Sequence, residues 1–137
     1  MLTPVAILEA LVGFDTTSAK SNMALIDWVQ DYLGRYGVET RLVPNEDGSK
    51  ANLWATIGPS REGGVCLSGH TDVVPVTGQA WDTDPFTLTE KGDRLYGRGT
   101  CDMKAFPATA LALVPEMLAK PLARPCLLYT SPSPRDA

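Results

Sequence analysis

Apolar residues recur at helical spacing near the start of the chain. Ile7, Leu8, Leu11 and Val12 share one face of a segment opened by Thr3-Pro4 and closed by Gly13. A threonine cap, proline at the first helical position and a terminal glycine predict a helix over about 4–12. Phe14-Asp15-Thr16-Thr17-Ser18 reads as a loop rich in capping residues. A second helix is predicted from about Ser21 to Tyr36, with Leu25, Val29, Tyr32, Leu33 and Tyr36 as its apolar face and Gly37 as its stop. The period then changes to two. Val38, Thr40 and Leu42 alternate with Glu39 and Arg41, which predicts a strand. Asn45 to Ser49 is a turn, and Asn52 to Ile57 a second strand closed by Gly58-Pro59. Val65 to Gly69 is short and apolar, the pattern of a central buried strand, and runs straight into His70. Phe86–Thr89 and Arg94–Tyr96 pair as a hairpin around Lys91-Gly92-Asp93. Met103 to Ala119 is a third helix, tolerant of Pro107 in its first turns and kinked or cut short by Pro115. Helices, strands and a final strand–loop–helix unit predict an α/β sandwich with a mixed sheet.

With 137 residues the chain makes one ordinary domain at most, and its 44% hydrophobic and 20% charged content is globular. A net charge of −4 argues against nucleic-acid binding, which needs a basic patch. No apolar run approaches the ~18 residues of a membrane span, and Met1-Leu2-Thr3-Pro4 is not the start of a signal peptide. Cysteines at 66, 101 and 126 form neither a disulfide framework nor a zinc-finger pattern, so a cytoplasmic setting is expected. Residues 126–137 differ from the rest. Ser-Pro-Ser-Pro continues neither helix nor central strand, and the stretch resembles a translated adapter sequence. The expected division is a folded part over 1–125 and a non-native tail over 126–137.

The chemistry lies in two segments. His70, the single histidine, follows the third strand in Ser68-Gly69-His70-Thr71-Asp72. The carboxyl ends of strands are where open α/β sheets place their sites. Asp72 is two residues on, so its carboxylate can take the second imidazole N–H and strengthen His70 as a metal ligand. The plain alternative is an Asx turn. Asp102, in Gly97-Arg98-Gly99-Thr100-Cys101-Asp102-Met103-Lys104, begins the third helix. It is either an N-cap or a carboxylate able to bridge two cations, with glycines letting the backbone come close.

Together these segments resemble the M20 family of dinuclear zinc peptidases and deacylases, over about residues 4–125. Phe14–Ser18, Asn52–Gly58, Trp81 with Asp84-Pro85-Phe86, and Gly99–Lys104 look like its acetylornithine-deacetylating branch. The resemblance implies an incomplete mixed-sheet sandwich of the dinuclear zinc exopeptidase type. His70 would ligate one zinc, Asp102 would bridge two, and Asp72 would orient His70 as an active-site residue. The peptide after Asp102 would be cis, and cobalt could replace zinc. The implied reaction is release of acetate from a small acyl-amino-acid, N2-acetylornithine, to give ornithine for arginine synthesis, in a protein that is a homodimer when complete. Succinyl-diaminopimelate or another acyl-amino-acid is the alternative substrate, and a non-enzymatic truncated fragment the alternative of another class. The family's general base, further ligands and dimerisation domain have no counterpart in these residues. Ala105 departs from the family's usual glycine.

Other signals are weaker. Gly97-Arg98-Gly99 lacks the third glycine of a dinucleotide fingerprint, and Ser68 lacks nucleophile-elbow flanks. Cys101 is expected to pack rather than attack. Trp54 and Trp81 are expected as core or loop anchors, and Tyr32 and Tyr36 as core. Arg98 and Lys104 are expected either solvated or paired with carboxylates.

Overall fold

A computed structural model describes residues 1–130. Helix α1 runs over Pro4–Val12, and the Thr3 hydroxyl accepts the Ala6 N–H at 3.2 Å as its cap. Helix α2 runs over Met23–Gly34, shorter at both ends than the apolar spacing predicts. Asn22 does not cap it. Its side chain instead bonds both backbone groups of Ala51, at 2.9 and 3.0 Å.

Strands β1 (Thr40–Pro44), β2 (Ala51–Ile57) and β3 (Val65–Gly69) follow. β4 (Thr89–Lys91) and β5 (Arg94–Tyr96) form a separate hairpin turned by Gly92 at φ 65°. Phe86 to Leu88 lie outside it, so the first hairpin strand is later and shorter than expected. A tight turn over Thr100–Lys104, non-helical at Asp102 and Met103, leads into α3 (Ala105–Ala112), and α4 (Val114–Ala119) completes the helices. The one helix expected over Met103–Ala119 is thus divided at Leu113. Pro115, within the first turn of α4, is accommodated by that break.

Cys126–Thr130 form β6 of the main sheet, whose order is β1-β2-β6-β3. β6 runs antiparallel to β2 and parallel to β3, so the sheet is mixed. These five residues were expected in a tail. Their apolar, strand-forming side chains fit the slot: Leu128 and Thr130 turn to the helices, and Tyr129 stacks on Trp54 with ring centres 4.2 Å apart. Residues 131–137, the rest of the expected tail, lie outside the described residues.

β6 changes the place of β3. The expected central strand is an edge among the described residues, with Val65, Cys66 and Ser68 exposed. β2 shows the period of a half-covered sheet. Ala51, Leu53, Ala55 and Ile57 face the helices, while Asn52, Trp54 and Thr56 face away. One core joins these β2 residues to Ile7, Leu11, Leu25, Ile26, Leu33 and Leu111. Tyr32 belongs to it, as expected, and its hydroxyl donates to the Leu111 carbonyl at 3.2 Å. Burial pushes the Tyr32 phenol up to about 12, with Tyr36 adding to the rise. No helix among the described residues is long and apolar enough to cross a membrane.

Candidate metal centre

β3 delivers His70 at its carboxyl end, where the backbone leaves the sheet. Gly69 is buried there because α3 passes close: a Cβ on it would meet Phe106 at 3.2 Å and Met103 at 3.4 Å. The segment after His70 is zipped to the Phe14–Ser18 loop. Val73 N–H donates to the Thr16 carbonyl at 3.0 Å, and Ser18 N–H donates to the Val73 carbonyl at 3.1 Å. The Thr16 hydroxyl adds a bond to the Thr71 carbonyl at 2.5 Å. The capping residues of that loop serve this second segment as well as their own turn.

The imidazole is held on both sides. His70 Nδ1 lies 3.1 Å from the Asp72 carbonyl and 3.2 Å from Asp72 Oδ1. Both are acceptors, so a proton on Nδ1 would meet two partners there. His70 Nε2 lies 3.0 Å from Asp102 Oδ1. The Asp72 side chain is only 15% exposed, whereas Asp102 is 61% exposed. His70, Asp72 and Asp102 are therefore brought together from positions 32 residues apart. Asp72 is not merely closing a local turn.

Asp102 is not an N-cap. Its backbone is non-helical (φ −125°, ψ 89°), and the Asp102–Met103 peptide is cis. The glycines before it permit this approach. Gly99 has φ +85°, and a Cβ there would lie 2.7 Å from Val73 Cγ1. A Cβ on Gly97 would lie 2.9 Å from Val12 Cγ1. The turn thus rests against both α1 and the His70 segment.

Lys104 is the residue that sequence reasoning missed. It is neither solvated nor paired with a carboxylate. It is fully buried, and its ammonium donates to the Leu11 and Phe14 carbonyls at 2.8 Å each. It ties the last turn of α1 to the turn that carries Asp102. Burial pushes its pKa down to about 8, against the pull of Asp15. The departure of α1 at Gly13 leaves carbonyls without helical partners, which was the only available hint. Arg98 stacks on Trp81, 5.0 Å from the ring centre, and bonds Gln79. Trp81 is accordingly a loop anchor. Cys101 is exposed rather than packed.

The donors fit a divalent cation. In the tautomer with its proton on Nδ1, His70 turns an Nε2 lone pair toward Asp102 Oδ1, 3.0 Å away. Two acceptors this close need a proton or a cation between them. Imidazole nitrogen and carboxylate oxygen are both zinc-type ligands. Among the described residues no group of three or more His, Cys, Asp or Glu side chains is placed to hold a metal ion.

Residues 66–130 match the family described as Peptidase family M20/M25/M40, a match that includes β6. Acetylornithine deacetylase of Pasteurella multocida is 42% identical over 125 residues, which is 83% of this chain and 32% of the relative. Acetylornithine deacetylase of Yersinia pseudotuberculosis is 40% identical over 93% of this chain and 36% of its own length. The chain therefore spans about a third of these relatives. Human carnosine dipeptidase 1 superposes with a TM-score of 0.73 at 27% identity, covering 93% of this chain and 31% of the dipeptidase. An M20 family metallo-carboxypeptidase from Sulfolobus solfataricus shares the fold, with a TM-score of 0.71 at 23% identity over 96% of this chain and 31% of its own. The mixed sheet, the paired His70 and Asp102 segments and these likenesses place the chain in peptidase family M20.

Proposed function

We propose that residues 1–130 form the N-terminal part of the catalytic domain of a cytoplasmic, zinc-dependent amide hydrolase that deacetylates N2-acetylornithine. Pairing of β6 with both β2 and β3 supports counting Cys126–Thr130 with this part. The observation that carries the reading is the approach of His70 Nε2 to Asp102 Oδ1, with Asp72 behind the imidazole. The substrate rests on the relatives at about 40% identity, which are acetylornithine deacetylases. The three free cysteines suit the cytoplasm.

Each residue has a part in this scheme. Asp72 keeps the proton on Nδ1 and so makes Nε2 the ligand nitrogen. Asp102 offers two oxygens, enough to face two cations from one side chain. A pair of divalent cations, zinc by preference and cobalt as a substitute, would polarise the amide carbonyl and acidify the attacking water. The glycine turn and Lys104 hold Asp102 where that charge is needed.

Two ligands do not fill a tetrahedral site. The 137-residue chain is therefore expected to bind zinc weakly and to release no acetate from N2-acetylornithine. Zinc titration of the chain tests the first part. Binding that disappears in His70→Ala and Asp102→Asn supports the site, and binding untouched by both refutes it. Acetate release by a complete protein carrying this portion tests the substrate, with succinyl-diaminopimelate as competitor. A second reading, cleavage of a dipeptide or acyl-amino-acid, is favoured by the fold shared with a dipeptidase and a carboxypeptidase. Faster turnover on a dipeptide than on N2-acetylornithine would decide for it.

A further inference from the structure

We infer that Ser18 is a positioning residue of this centre: its hydroxyl sets the Asp72 carboxylate, and through it the ligand face of His70. The inference rests on the metal-site reading above and adds to it a residue 52 positions before the histidine in sequence. Ser18 Oγ donates to Asp72 Oδ2 at 3.1 Å. The same hydroxyl lies 3.4 Å from the Val73 carbonyl, a longer contact to an uncharged acceptor. The carboxylate is the stronger partner for its one proton. Asp72 Oδ1 is then left to His70 Nδ1 at 3.2 Å. The two oxygens thus face two partners, while the hydrogen bond of His70 Nδ1 goes to the Asp72 carbonyl at 3.1 Å.

The backbone of Ser18 is fixed without help from its side chain. Its N–H donates to the Val73 carbonyl at 3.1 Å, and its carbonyl accepts from the Lys50 ammonium. Thr17 forms a parallel bridge to Val73, and the Thr17 hydroxyl and N–H are both tied to Asp15. A hydroxyl carried on so anchored a backbone is delivered to one place. Ser18→Ala removes that hydroxyl and leaves the loop's backbone bonds intact. An imidazole whose second nitrogen is less firmly held is a poorer and less uniquely oriented ligand.

The single histidine makes the test direct. Long-range 1H–15N spectra of the 137-residue chain, labelled with 15N, report the His70 tautomer and its response to added zinc chloride without assignment. Native chain is expected to show an Nδ1-protonated ring whose Nε2 signal shifts on zinc addition. Ser18→Ala is expected to weaken that zinc response about 3- to 10-fold, the scale of one outer hydrogen bond to a charged group. Ser18→Thr, which restores a hydroxyl, is expected to recover most of it. The melting temperature of Ser18→Ala should stay near that of the native chain. Native-like zinc affinity and tautomer in Ser18→Ala would overturn the inference while leaving the metal site standing. A native His70 ring that ignores zinc would overturn the metal site, and the inference with it.

Discussion

The two halves of the centre are built by different means. The His70 half is held by side chains. Ser18 donates to the Asp72 carboxylate, whose other oxygen lies 3.2 Å from His70 Nδ1, and the His70 side chain is only 12% exposed. The Asp102 half is placed by a tight turn. Its carboxylate is largely exposed, and its place comes from Gly97, Gly99 and the anchored Lys104 of one tight turn. Changes to the first half should alter ligand quality with little loss of stability. Changes to the second should cost stability first.

The sharpest break is Lys104→Ala. It leaves the Leu11 and Phe14 carbonyls without their donor and opens a void at a fully buried site. A loss of about 3–5 kcal/mol is expected, read by urea unfolding. A loss under about 1 kcal/mol would show that the turn holds Asp102 without this anchor. Gly99→Val comes next. It forces a β-branched residue to φ +85° and brings its Cβ within 2.7 Å of Val73 Cγ1. Roughly 2–4 kcal/mol is expected, also by urea unfolding. Zinc affinity in both variants should fall along with the fold.

Asp72→Asn works the other way. The fold should survive, with a melting temperature close to native, while zinc affinity of the chain drops about 10- to 100-fold. Equal losses of stability and affinity would erase the contrast between the halves. A smaller effect lies away from both. Tyr32→Phe should cost about 1 kcal/mol through its bond to the Leu111 carbonyl. The Tyr32 phenol is raised to about 12 in the folded protein by burial. Its folded pKa lies above the unfolded value near 10, so its contribution is complete below pH 10 and lost as pH rises towards 12. Urea midpoints from pH 9 to 11.5 should fall less steeply in Tyr32→Phe than in the native chain.

Much of the fold was legible in local pattern. Thr3, Pro4 and Gly13 mark α1 because capping is a property of a few adjacent residues. Alternation marks β2, and Pro115 marks the break in the third helical segment. The lateral order of strands was not legible. Val65–Gly69 reads as central from its composition, yet among the described residues β6 takes the inner place and leaves β3 at an edge. Cys126–Thr130, read as part of a tail, becomes that inner strand. Strand order depends on pairing between distant segments, which no local window contains.

The site divides in the same way. His70 and Asp72 stand two residues apart in one short motif and Asp102 stands in a second, so their residue types and spacing are legible along the chain. The sequence by itself therefore determined which candidate metal-binding groups the chain carries, and its glycines determined where backbone can approach backbone. Only the tertiary structure decided what supports them. Ser18 reaches Asp72, and Lys104 reaches α1, across 54 and 93 residues. Partners at such separations are chosen by packing and by the need to satisfy buried polar groups, and both exist only once the chain has folded.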